Sequence, residues 1–384
     1  MSEVPLDLLD GVRERLARDA APLTPQLVAQ ALRDQGRPVG DATVLAVHDA
    51  LHRDVVGAGP LEPLLRLEGV TDVLVNGADQ VWIDRGGGLE LTGISFIDEP
   101  SVRRLAQRLA ATGGRRLDDA SPCVDLRLPD GTRFHAVLAP LSRPGTVLSL
   151  RVPRQRVFTM EELVAAGAVP SAGVTILESV VKQRLAVLIS GGTGSGKTTL
   201  LNALLSMVEV DERLVLVEDA SELRPEHGHV VALEARPPNI EGAGEVTLRT
   251  LVRQALRMRP DRLVVGEVRG AEVVDMLAAM NTGHEGGCAT IHANSAADVP
   301  SRVEALALAA GLTREAAHSQ FLSAVDVVIH LGRDRDRVRR LKEIGVVTRG
   351  PTGEVEVVAG IVFAPDGALQ PGPAIDALSA LIEP

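Results

Sequence analysis

Nine consecutive residues, GGTGSGKTT at positions 191 to 199, combine flexible small residues, one lysine and several hydroxyls in a spacing suited to holding phosphate. Gly191, Gly196, Lys197 and Thr198 take the fixed places of G-x-x-x-x-G-K-[ST], and Gly192, Thr193, Gly194, Ser195 and Thr199 complete the stretch. Glycines let successive backbone N–H groups turn inward on a polyphosphate, and the positive end of a following helix adds to the attraction. Lys197 is expected to reach the β- and γ-phosphates of ATP and the Thr198 hydroxyl to hold Mg2+. A flexible Gly/Ser turn is the plainer alternative. Against it stand the flanks: the apolar run Leu185 to Ser190 reads as a buried strand, and Thr198 to Met207 as a helix.

Ligands of an open parallel sheet sit outside the carboxyl ends of its strands. Three further apolar runs stop at polar groups: RLVLV (213 to 217) at Glu218 and Asp219, RLVVG (262 to 266) at Glu267, and GCATI (287 to 291) at His292. A triphosphate with Mg2+ needs a carboxylate near the metal and a polar group to orient or deprotonate the attacking water. Glu267 is the candidate for that carboxylate, Glu218 and Asp219 complete an acidic ring that shares the metal with Thr198, and Glu222 stands one turn further out. His292 is placed to sense the γ-phosphate or to relay a signal. His284, in a Gly-rich turn, reads equally well as a surface residue, and neither histidine has a second His or Cys at metal-ligand spacing.

Arginines are less telling. Arg249, Arg253 and Arg257 recur at i, i+4, i+8 with Arg259 beside them, which reads first as a solvated helix face. The tract RDRDRVRR (333 to 340) reads as a charged exposed loop, because a nucleic-acid arm would not be diluted with aspartates. No arginine stands obviously beside the strand ends.

Composition narrows the class. The 384 residues carry a net charge of −11, 2% aromatic residues and no Tyr, so neither a basic footprint nor base-stacking rings are supplied, and nucleic acid is not the favoured partner. Two cysteines, Cys123 and Cys288, suit a reducing compartment without structural zinc. No apolar run approaches the roughly 20 residues that span a bilayer, and the acidic, mixed N-terminus does not resemble a signal segment. The expectation is a cytoplasmic protein that any membrane role must recruit through a partner.

These chemical groups need a scaffold. Residues 1 to 57 read as a small helical segment, with a Thr24-Pro25 start, a stop at Gly36 and a cap at Asp41 before an apolar run through Leu51 and Val55. Residues 58 to 152 alternate short strands (72–76, 80–84, 124–128, 132–138, 146–152) with one helix near 101–112, an α+β domain with a mostly antiparallel sheet. Gly86-Gly87-Gly88 reads as a hairpin turn, since no helix follows it. Residues 153 to 170, with a Thr159-x-x-Glu162 capping box, form a linker. Strand and helix alternation over 171 to 345 predicts a doubly wound, mainly parallel α/β sheet, and 346 to 384 a C-terminal hairpin and helix extension.

Together these phrases resemble a family. GGTGSGKTT, LVLVEDASEL, LRMRPDRLVVGEVRG and MNTGHEGGCATIHANS stand in the order and spacing of the type II/type IV secretion ATPases. VTDVLVNG, LPDGTRFHAVLAPLS and TVLSLRVP are similar to the branch that assembles tight-adherence (Flp) pili, and the absence of a tetracysteine module fits that branch. The resemblance implies a RecA-like motor domain, a homo-hexameric ring, ATP and Mg2+, and inner-membrane platform proteins as partners. It implies that Lys197 binds phosphate, Thr198 binds Mg2+ and Glu267 is the Walker B carboxylate. It further implies that arginines of the N-terminal domain face the nucleotide, here Arg133 and Arg151, with Arg115 and Arg116 as weaker matches. The alternative class is a RecA-like nucleic-acid motor or binding protein, which the acidic charge disfavours.

Overall fold

The computed structural model describes residues 57–152, 157–239, 242–283, 285–334, 338–351 and 353–383, with residues 12, 15, 24–34, 40, 43–45 and 47–48 of the N-terminal segment. Gly36, Asp41, Leu51, Val55, His284, residues 153–156 of the linker and 335–337 of the charged tract lie outside them. The chain divides into two compact units, Met1–Pro153 and Arg154–Pro384.

In the first unit, helix α1 (Pro25–Asp34) follows Thr24, whose hydroxyl accepts from Leu27 N at 3.4 Å, and it buries Val28, Ala31 and Leu32. Six strands then form an antiparallel sheet: β1 (Asp72–Asn76), β2 (Val81–Asp84), β3 (Leu89–Leu91), β4 (Cys123–Arg127), β5 (Arg133–Val137) and β6 (Val147–Arg151), in the order β3-β2-β1-β6-β5-β4. The three glycines make the β2–β3 turn, held by Asp84 Oδ1, which accepts from Gly86 N at 2.6 Å. Strand β3 itself was not among the expected strands; at three exposed residues it is too short to show an alternation. Helix α2 (Glu99–Thr112) starts at Asp98, whose carboxylate accepts from Ser101 N at 2.8 Å. Period-2 alternation sends Phe134, Ala136, Leu148 and Leu150 to the core, where α2 adds Val102, Leu105 and Leu109.

The second unit opens with α3 (Met160–Ala165) and its capping box: Thr159 Oγ1 accepts from Glu162 N at 3.3 Å, and Glu162 Oε2 accepts from Thr159 N at 3.1 Å. There follow α4 (Ser171–Lys182), β7 (Val187–Gly191), α5 (Lys197–Leu205), β8 (Leu214–Glu218), β9 (Val230–Glu234), α6 (Leu248–Ala255), β10 (Arg262–Val268), α7 (Glu272–Met280) and β11 (Cys288–Ile291). Then come α8 (Val299–Ala309), α9 (Arg314–Ala324), β12 (Val327–Arg333), β13 (Arg339–Arg349), β14 (Val355–Phe363), β15 (Leu369–Pro371) and α10 (Ile375–Ile382).

Nine strands make one sheet, β15-β14-β13-β12-β7-β11-β10-β8-β9. The run from β12 to β9 is parallel, and β13 to β15 pair antiparallel at one edge. Strand β7 is buried along its whole length because helices cover both faces. Val187 and Ile189 pack with α4 and α5, while Leu188 joins the core beneath α6 to α9. Truncating Leu188 to Ala is therefore expected to cost about 2–5 kcal/mol. Strand β13 runs through residue 345, so the C-terminal strands extend the nine-stranded sheet and the expected boundary there cuts a strand. The charged tract is likewise no simple loop: Arg333 ends β12, Arg339 and Arg340 begin β13, and Asp334 pairs with Arg340 at 2.5 Å and with Lys342. Among the described residues no helix is long and apolar enough to cross a membrane.

Candidate active site

The loop at the carboxyl end of β7 has the backbone its glycines permit. Gly191 has φ +152, and a Cβ there would sit 2.4 Å from the Leu331 carbonyl oxygen and 2.6 Å from Ser195 Oγ. Gly196, at φ +99, turns the chain into α5 as its N-terminal cap. Helix α5 starts on Lys197, so its unpaired N–H groups face the loop, with the Thr198 and Thr199 side chains half-buried beside them. Gly192, Thr193 and Gly194 are exposed at the rim, while Ser195 is buried with no partner for Oγ among the described residues.

Lys197 is 7% exposed, and its Nζ donates to the carbonyls of Gly191 at 3.0 Å and Gly192 at 3.1 Å. The same ammonium lies 3.5 Å from both ring nitrogens of His292. Burial lowers its pKa, and the Glu267 carboxylate opposes that shift.

Glu267 does not follow its strand; it lies within β10, at a break in register. Val265 pairs with Ala289 and Val268 with Ile291, so Gly266 and Glu267 together stand opposite Thr290, whose hydroxyl donates to Gly266 O at 2.7 Å. The bulge re-aims the side chain at the rim of the sheet. Glu267 Oε2 accepts from Arg269 Nη2 at 2.5 Å, and Oε1 stands 2.5 Å from His292 Nε2 as an ion-pair contact, with no hydrogen-bond partner among the described residues. Burial alone would raise this carboxyl. Arg269, His292 and Lys197 outweigh it and hold the group below the usual carboxylate range. His292 is itself pushed down, by burial first and by Lys197 next.

Arg269 corrects the expectation that no arginine stands beside the strand ends. Its turn is fixed by Glu272, 7% exposed, whose Oε1 accepts from Arg269 N at 2.6 Å and Gly270 N at 2.7 Å. The signal was its place two residues after Glu267, which becomes informative only once the bulge is known.

Strand order separates the remaining candidates. Neighbouring strands β7, β11 and β10 bring Lys197, His292 and Glu267 together, whereas Glu218 ends β8, beyond β10. Glu218 is 4% exposed, its Oε1 accepts from Glu222 N and Leu223 N at 3.0 Å, and its Oε2 has no partner among the described residues. Burial pushes it up to about 7. Asp219 is exposed and, with Glu222, acts electrostatically on Arg269.

Arg133 and Arg151 are direct cross-strand neighbours on β5 and β6, with Arg127 opposite Arg133 and Asp72 opposite Arg151. Their shared rung concentrates positive charge on the polar face of the first unit's sheet. Arg116 is paired with Asp118. The α6 stripe is not only solvated: Arg249 and Arg253 both clamp Asp275 of α7, at 2.6 and 2.7 Å.

The loop suits phosphate oxygens: a buried lysine held, among the described residues, by loop carbonyls and an imidazole, and a helix start whose first N–H groups lack intrahelical partners. Among the described residues no group of three or more His, Cys, Asp and Glu side chains could hold a metal by itself.

Fold and site together define a phosphate-loop ATPase with a RecA-like motor sheet. The chain belongs to the family of type II/IV secretion system proteins, whose model matches residues 54–349. It is 56% identical over 326 residues to a conjugal transfer protein of Mycobacterium tuberculosis (strain H37Rv), covering 83% of this chain and 92% of that one. The conjugal transfer protein TrbB of Sinorhizobium fredii is 31% identical over 296 residues, covering 75% of this chain and 86% of its own length. In fold the chain is similar to the pilus retraction motor PilT solved with bound ADP, with TM-score 0.51, 18% identity and coverage of 81% of this chain and 82% of that one.

Proposed function

We propose that this ATPase drives pilus assembly of the tight-adherence type, or protein export, as a homo-hexameric ring recruited from the cytoplasm to inner-membrane platform proteins. The observation that carries the catalytic part is the continuous contact from Lys197 through His292 to Glu267 and Arg269 at the carboxyl ends of the adjoining strands β7, β11 and β10. In this reading the loop N–H groups and Lys197 bind the phosphates, and Thr198 and, through water, Glu267 would hold Mg2+. Bound Mg2+ would neutralise charge on the phosphate oxygens. Glu267, anionic at neutral pH, orients the attacking water and accepts its proton; His292 links that carboxylate to Lys197; Arg269 supplies the cation that the developing phosphate charge needs. Glu218 and Asp219 belong to the outer acidic ring.

Arg133 and Arg151 are proposed as nucleotide-side cations, supported by the family resemblance and by their shared rung. ATP hydrolysis by the purified chain, with sizing chromatography with and without ATP, tests the motor and the ring. A chain that hydrolyses ATP yet stays monomeric under both conditions refutes the ring alone. Tight, steeply salt-dependent DNA binding would favour a nucleic-acid motor instead.

A further inference from the structure

Strand β12 reads VVIHLGR, an apolar strand interrupted by one imidazole. His330 is 8% exposed, where a ring nitrogen left unpaired is destabilising. Its Nδ1 lies 2.9 Å from the hydroxyl of Ser190, a residue with no exposure that stands directly opposite on β7. The backbone of Asn294, two residues beyond His292, lies near enough to the ring to act on it electrostatically. Ser190 pairs in turn with Ile291, so one rung, His330–Ser190–Ile291, crosses three neighbouring strands. Both inner members of that rung lead into the site. Gly191, which follows Ser190, accepts from Lys197, and His292 follows Ile291.

We propose that His330 is a positioning residue for ATP hydrolysis, holding Ser190 of the strand that feeds the phosphate loop in register with Ile291, which precedes His292, so that Lys197, His292 and Glu267 meet. The inference rests on the ATPase reading above. A neutral imidazole is the group that does this: Nδ1 accepts from the Ser190 hydroxyl. Burial keeps the ring neutral, Lys197 and Lys342 act in the same direction, and Asp298 and the Asn294 backbone oppose them. An aliphatic side chain of similar size fills the space and cannot accept from Ser190. Asparagine places an amide near Nδ1 and keeps the Ser190 contact.

The test measures steady-state ATP hydrolysis and ADP affinity of the full chain for wild type, His330→Leu, His330→Asn and Ser190→Ala, and repeats His330→Leu in a His292→Ala background. His330→Leu is expected to lose about 10-fold or more in kcat while ADP affinity changes less than about 3-fold. His330→Asn recovers most of that loss, and in the His292→Ala background the leucine costs clearly less than 10-fold, because coupled residues are not additive. A His330→Leu kcat within about 2-fold of wild type, or an equal loss in both backgrounds, overturns the proposal. Should the leucine variant fail to fold, Ser190→Ala decides: full kcat there refutes the tie, and a loss rescued by no other change supports it. A wild-type chain without ATP turnover would instead remove the ATPase reading.

Discussion

His292 Nε2 stands 2.5 Å from Glu267 Oε1, and the same imidazole lies 3.5 Å from the ammonium of Lys197. The Lys197 ammonium after β7 and the Glu267 carboxylate of β10, two strands away, are therefore linked through one ring rather than by a direct pair. Glu267→Gln keeps the side-chain volume and removes the charge and basicity. Its turnover should fall on the order of 10² or more while nucleotide binding persists, since only the water-activating step loses its group. Unchanged steady-state turnover would take Glu267 out of the mechanism.

Arg269 bonds to the same carboxylate at 2.5 Å, and its guanidinium is expected to serve the phosphate as well. If the guanidinium serves the phosphate, Arg269→Gln lowers kcat by at least about 10-fold, within the range seen for arginines that stabilise transferring phosphoryl groups. If it serves only to balance Glu267, kcat is retained. Single-turnover kinetics with saturating ATP separates the two.

Lys197→Ala removes the one ammonium that the loop carbonyls hold. ATP at 100 times its Kd should stabilise the wild-type chain by about 2.7 kcal/mol, and the variant should show no such shift in thermal melts. An equal shift in both proteins would place the nucleotide elsewhere.

Glu218 provides a pH signature. Its carboxyl is raised from 4.5 to about 7 by burial, so the folded chain binds a proton there that the unfolded chain releases above 4.5. Stability from this group is complete below about 4.5 and is lost as pH rises towards 7, with an upper bound of about 3 kcal/mol. Glu218→Gln should flatten that part of the stability–pH curve between pH 5 and 8. A wild-type and variant pair with parallel melting curves over that range would refute the buried, protonated assignment.

At the other end of β10, Arg262 and Glu212, 2% and 3% exposed, form a two-pronged ion pair at 2.7 and 3.0 Å, and Arg262 also donates to the Val181 carbonyl. Burial raises the Glu212 carboxyl, and Arg262 more than reverses that effect. Glu212→Gln leaves a buried cation uncompensated and should destabilise the chain by about 3–5 kcal/mol in denaturant titrations. A loss under about 1 kcal/mol would mean that water reaches the guanidinium.

The phosphate loop was legible because its constraints are local: a glycine where a Cβ would strike Leu331 O, a second at φ +99, and a lysine one helical residue later are all written within nine positions. The parallel strands were legible for the same reason, since burial on both faces demands unbroken apolar runs such as VLIS. Strand order was not. Nothing in the linear sequence states that β11 and β10, rather than β8, follow β7 across the sheet, and that order is why His292 and Glu267 meet Lys197 while Glu218 packs against Gly266. The bulge in β10 and the rung from His330 to Ile291 also depend on pairing between distant segments. The sequence by itself determined which groups could grip a triphosphate; tertiary pairing decided which of them touch, because contact across a sheet is set by register and neighbour order rather than by separation along the chain.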